Sequence, residues 1–185
     1  MSSNLTIVIV HGSYHTPAPY EPLRKALESR GYETHCPQLP CSKLENLVIN
    51  PSNPDFSVPP PPAGHPPQSA DSDVIKDLLK TLVEEQGKNV LLVAHSSGGW
   101  SATEAVVPEF QLAQRKKEEK IGGVIGIFYV AAFVVEMGGS VAGQIFDDLK
   151  HDLNWITFHV RSRLFLIELS CFSLILANKY RKLQI

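Results

Sequence analysis

A chain of 185 residues, 43% hydrophobic and 19% charged, has the size and composition of one soluble globular domain, which excludes general disorder. A formal net charge of −2 excludes the clustered excess of base that a nucleic-acid or anionic-membrane surface requires. Cys36, Cys41 and Cys171 make an odd count without a Cys-x-x-Cys pair, so a reducing, cytoplasmic setting is expected and neither a disulfide framework nor a zinc site is.

In chain order, the β-branched run LTIVIVHG, Leu5 to Gly12, reads as a buried parallel strand stopped by glycine. The run TIVIV is too short for a signal-peptide core. Tyr20, Leu23 and Leu27 then recur at helical spacing, with Gly31 as the stop. YETHCPQLP is a second, weaker strand, ended by proline. The proline-rich stretch 51–69 cannot build helix or central strand and reads as a surface loop rather than a ligand for an SH3-type partner. A second helix places Ile75, Leu78, Leu79 and Leu82 on one face, with Asp71 and Asp73 near its start and Gly87 after its end. NVLLVAHS is the third strand, GWSATEAVVPEF opens the third helix, and GGVIGIFYVAAFVV is a long apolar fourth strand. Between the last two, RKKEEK, Arg115 to Lys120, is balanced by Glu118 and Glu119 and reads as a solvated helix end. The alternation predicts an α/β fold: a parallel sheet with helices on both faces.

Functional groups of such a sheet gather at the carboxyl ends of its strands. Two ends carry chemistry here, HGSYH at His11 to His15 and AHSSGG at Ala94 to Gly99. A serine hydroxyl is a weak nucleophile unless a base reaches it and oxyanion donors face its product. A tight strand-to-helix turn exposes the serine and requires small residues two positions to either side. Ala94 and Gly98 satisfy that spacing around Ser96, with alanine where the usual pattern has glycine. Ser96 is therefore the candidate nucleophile. The backbone N–H groups of Ser97, at a helix start, and Ser13 are the candidate oxyanion donors. His11 and His15 stand four apart outside a helix, so a metal pair is not expected.

On the stretches VIVHGSYHTPAPYEPLRKALESRGYETHCPQLP, DVIKDLLKTLVEEQGKNVLLVAHSSGGWSATEA and GVIGIFYVAAFVV, the chain resembles the α/β-hydrolase family. It is most similar to the small cofactor-free esterase-like members, including plant hydroxynitrile lyases and methyl esterases. The resemblance implies Ser96 as nucleophile, an oxyanion hole from Ser13 and Ser97, no metal or organic cofactor, and a small-molecule ester as substrate.

In that family the acid and then the histidine follow the serine. After Ser96 only His151 and His159 remain, with Asp147, Asp148 and Asp152 nearby, and neither histidine follows a further strand-and-turn unit. The expectation is thus a partial fold lacking the C-terminal strands: residues 1–159 as the N-terminal part of the domain and 160–185 as an atypical apolar tail. The tail's core, Leu164 to Ala177, is interrupted by Glu168 and too short for a membrane span. A fourth strand left at a sheet edge would favour self-association. Two functions follow: a serine esterase acting through Ser96, or a truncated, inactive hydrolase-like protein without acid and base.

Overall fold

The computed structural model describes residues 4–134 except 56, 59, 60 and 68. His151, His159, the acidic residues beside them and the 160–185 tail lie outside the described residues. So does any strand beyond the fourth.

Four parallel strands form one sheet in the order β2-β1-β3-β4: β1 is Leu5–Val10, β2 Glu33–His35, β3 Asn89–His95 and β4 Gly123–Val130. Parallel neighbours need crossovers, and helices supply them: α1 (Glu21–Glu28), α2 (Ser69–Leu79), α3 (Gly98–Ala105) and the short α4 (Leu112–Lys117). The final turns of α2, Lys80–Glu85, widen to π geometry before Gly87. The proline-rich residues before α2 run as turns and irregular loop, as the missing N–H groups dictate.

One side of the sheet holds the core. Val8 and Val10 of β1 meet Val90, Leu92 and Ala94 of β3, packed under Ile75, Leu79 and Leu82 of α2 and Ala102 and Ala105 of α3. The predicted face of α2 is thus the buried one, because apolar positions three and four apart line one side of a helix. The α1 side is more open. No residue of α1 is buried, and Leu23, expected on its core face, is 43% exposed because a cavity lies beneath it.

Two sequence expectations need correction. The fourth strand stops at Val130 rather than running through the apolar stretch to residue 135, since Ala131 turns to φ 42° and Phe133 N–H bonds Ser96 O at 3.0 Å. Lys116–Lys120 are exposed at and after the end of α4, as the run RKKEEK predicts, but Arg115 is not. It is 5% exposed and donates to four backbone carbonyls: Gly122 (2.9 Å), Ile121 (3.0 Å), Glu109 (3.3 Å) and Val83 (3.4 Å). Its guanidinium has five donors in a planar fork, which lets one side chain tie the end of α2 to α4 and the entry of β4. Among the described residues, no helix is long and apolar enough to cross a membrane.

Candidate active site

The sheet order reverses direction between β1 and β3, since β1 leads outward to β2 while β3 leads the other way to β4. In an open parallel sheet, the crevice above such a switch point is where ligands bind. Both sequence-predicted loops leave the sheet there. His11-Gly12-Ser13 follows β1, and Ser96-Ser97 joins β3 to α3.

Ser96 has φ 54°, the left-handed conformation that costs a side-chain-bearing residue energy. The strained turn sets Ser96 half-buried between strand and helix. It is held on three sides. Ser96 N–H donates to Val130 O of β4 at 3.4 Å, while Ser96 O accepts from Gly99 N at 3.1 Å and Phe133 N at 3.0 Å. The small flanking residues are sterically required. A Cβ on Gly98 would lie 2.4 Å from Val10 O and 2.6 Å from His11 O, backbone atoms that cannot swing aside. Ala94 is fully buried against the core. Across the crevice, a Cβ on Gly12 would come within 2.9 Å of Ser96 Cβ, so the loop after β1 approaches the elbow as closely as backbone can.

Ser13 and Ser97 are neighbours, with Ser13 Oγ donating to Ser97 Oγ at 2.8 Å. Neither backbone N–H of these two has an acceptor among the described residues.

The nearby histidines are engaged elsewhere. His11 is fully buried. Its Nε2 accepts Leu39 N–H at 3.0 Å and its Nδ1 lies 3.0 Å from Gly12 O, which fixes the tautomer with hydrogen on Nδ1. Burial lowers its pKa, more than the Gly12 carbonyl and Asp71 raise it, so it stays neutral and ties β1 to the loop after β2. His15 and His95 stack at 5.4 Å with an 18° interplanar angle, and both Nδ1 atoms reach the Tyr20 hydroxyl, at 2.9 and 2.7 Å. Burial, then the neighbouring His15, lowers the His95 pKa. Among the described residues no imidazole hydrogen-bonds Ser96 Oγ.

A cavity of about 250 Å³ lies on the α1 side, lined by Ile9, Leu23 and Val93 with His15, Tyr20 and His95. His95 rather than Ser96 faces it. A larger cavity of about 500 Å³ opens between α4 and β4 and touches none of the elbow residues. Sequence reading took Tyr20 as an apolar helix position and missed its hydroxyl. The available signal was that a tyrosine near a helix start carries a polar tip that needs a partner.

Cys36 and Cys41 are free thiols. Burial pushes Cys36 up to about 11 and, with Asp71 adding to it, Cys41 up to about 12, so neither competes with serine as a nucleophile at neutral pH. Among the described residues no group of three or more His, Cys, Asp or Glu is placed to hold a metal ion.

The family described as "Alpha/beta hydrolase family" matches residues 7–177. The α/β hydrolase nvfD of Aspergillus novofumigatus is 27% identical over 141 residues, 75% of this chain and 47% of that protein. The crystal structure of tomato methylketone synthase I with 2-tridecanone superposes with a TM-score of 0.51 at 14% identity, covering 89% of this chain and 55% of that one. A PytH variant gives a TM-score of 0.42 at 22% identity over 71% and 41% of the two chains. The chain spans about half the length of these relatives. With its parallel sheet, its strained serine turn and a match across most of its length, the chain belongs to the α/β-hydrolase family.

Proposed function

We propose that this chain carries the nucleophile and oxyanion hole of a serine hydrolase for small carboxylic esters. Ser96 Oγ attacks the ester carbonyl carbon while a base takes its proton. The carbonyl oxygen becomes an oxyanion held by the N–H groups of Ser13 and Ser97. Collapse expels the alcohol, which takes up the proton, and water then releases the acid from the acyl-serine. The observation that carries this reading is the Ser96 backbone at φ 54° above the switch point, next to Ser97 and its hydrogen-bonded neighbour Ser13, whose N–H groups have no acceptor among the described residues. Strain of that kind persists where function uses it.

A second reading, a hydrolase-like protein without activity, is favoured by one observation: none of the described imidazoles engages Ser96. Labelling with a fluorophosphonate probe tests both. A serine with a base and an oxyanion hole labels fast, and loss of the base lowers the rate by on the order of 10⁴ to 10⁶. Labelling that disappears in Ser96→Ala supports the nucleophile, and its rate reads whether a base is in place. Equal labelling of Ser96→Ala would refute the assignment.

A further inference from the structure

We propose that the Tyr20 hydroxyl is the positioning group of the oxyanion hole, holding the Gly12–Ser13 turn against the Ser96 elbow. The inference rests on the serine-hydrolase reading and adds a residue that touches neither substrate nor nucleophile.

Tyr20 closes the single 3₁₀ turn Ala18–Tyr20 that leads into α1, which brings its ring back under both loops. Three groups converge on its oxygen. Gly12 N–H donates to it at 3.3 Å, and His15 Nδ1 and His95 Nδ1 lie at 2.9 and 2.7 Å. A phenol offers one hydrogen and two lone pairs, so the three contacts use it completely. Gly12 N–H fills one lone pair and one imidazole Nδ1–H the other, while the phenol hydrogen goes to the second imidazole. Two neutral imidazoles in opposite tautomers satisfy this count. Burial raises the Tyr20 pKa, more than the Gly12 contact lowers it, which keeps the hydrogen in place at neutral pH.

The connections matter more than the count. Gly12 precedes Ser13, and His95 precedes Ser96, so one oxygen joins the residue before the first oxyanion donor to the residue before the nucleophile. The turn and the elbow are already at the steric limit, with 2.9 Å separating Ser96 Cβ from where a Gly12 Cβ would stand. On the far side the Ser13 Oγ to Ser97 Oγ bond of 2.8 Å is the second tie. Removing the Tyr20 oxygen frees the Gly12 amide, leaves the turn held through Gly12 O by His11 Nδ1 and His15 N–H, and leaves the Ser13–Ser97 bond as the remaining side-chain hydrogen bond from the turn to the elbow. Oxyanion stabilisation depends on donors held at 2.7–3.1 Å from the developing charge, so a loosened turn weakens the transition state more than it weakens binding.

Tyr20→Phe keeps the ring and deletes the oxygen. With a fluorophosphonate probe on the full chain, the inactivation constant is expected to fall about tenfold to a hundredfold, less than the outright loss of a donor. The probe's binding constant stays unchanged and the variant remains folded at the assay temperature, although its melting temperature falls because Gly12 N–H and two imidazoles lose their partner; a fall in the inactivation constant alone is a split that a merely structural role would not produce. Inactivation at the wild-type rate, with Ser96→Ala inert, overturns the proposal and leaves the nucleophile standing. If wild type labels no faster than Ser96→Ala, the nucleophile reading fails separately, and amide exchange then decides. The Gly12 amide, bonded to the Tyr20 oxygen, exchanges at least tenfold faster in Tyr20→Phe while β3 core amides hold their rates; equal exchange overturns the positioning role.

Discussion

Backbone strain at Ser96 can be measured without any substrate, by comparing Ser96→Gly with Ser96→Ala. Both variants lack the hydroxyl, which has no partner among the described residues, so its loss cancels. They differ in what φ 54° costs. A residue with a Cβ loses about 1–2 kcal/mol in the left-handed region, and glycine loses almost none. Against this, glycine gives up about 0.5–1 kcal/mol more chain entropy on folding than alanine. The difference leaves Ser96→Gly more stable than Ser96→Ala by about 1 kcal/mol, near 2–4 °C in melting temperature for a chain of this size. Urea unfolding with matched slopes resolves this. A glycine variant equal to or less stable than the alanine variant would refute the strained elbow.

Two further outcomes are expected. Arg115→Met leaves carbonyls of Val83, Glu109, Ile121 and Gly122 without this donor and should cost about 1.5–3 kcal/mol, the scale of hydrogen bonds to a charged group; a loss below about 1 kcal/mol by urea titration would show that water replaces the guanidinium. Stability should also fall as pH drops below about 6.5, because His11 and His95 have lowered pKa values in the fold, so the unfolded chain takes up protons first. Each contributes a slope of up to about 1.4 kcal/mol per pH unit between its unfolded and folded pKa, none above that window, and a flat urea midpoint from pH 7.5 to 5.5 would count against both.

Much of the fold was legible because it rests on local signals. The β-branched runs at Leu5 and Asn89, the apolar spacing of Ile75, Leu79 and Leu82, and the glycine stops each encode one element within a few residues. The elbow was legible for the same reason, since Ala94, Ser96 and Gly98 lie within five positions. What escaped depends on partners distant in sequence. RKKEEK reads alike whether Arg115 points to water or to Val83 O, 32 positions away. Tyr20 gave no hint of His95, 75 positions on. The end of β4 was misplaced because Ala131 and Phe133 are as apolar as the strand before them; only the Phe133 bond to Ser96 O turns the chain aside.

A strained residue survives only where its surroundings fix it more firmly than the strain pushes back, and at Ser96 those surroundings come from three strand ends. β1 supplies the Val10 and His11 carbonyls against which Gly98 must stay bare. β3 supplies the turn itself, and β4 with its following bend supplies Val130 O and Phe133 N–H. The elbow is therefore a property of the sheet's carboxyl edge rather than of the five-residue motif. The same packing commits the nearest imidazoles: His11 bridges Leu39 and Gly12, and His15 and His95 share Tyr20. Releasing any of them would break the contacts that tie the Gly12–Ser13 turn to Tyr20 and to the loop after β2. On the proposed serine-hydrolase reading, the base is therefore a group other than these three imidazoles.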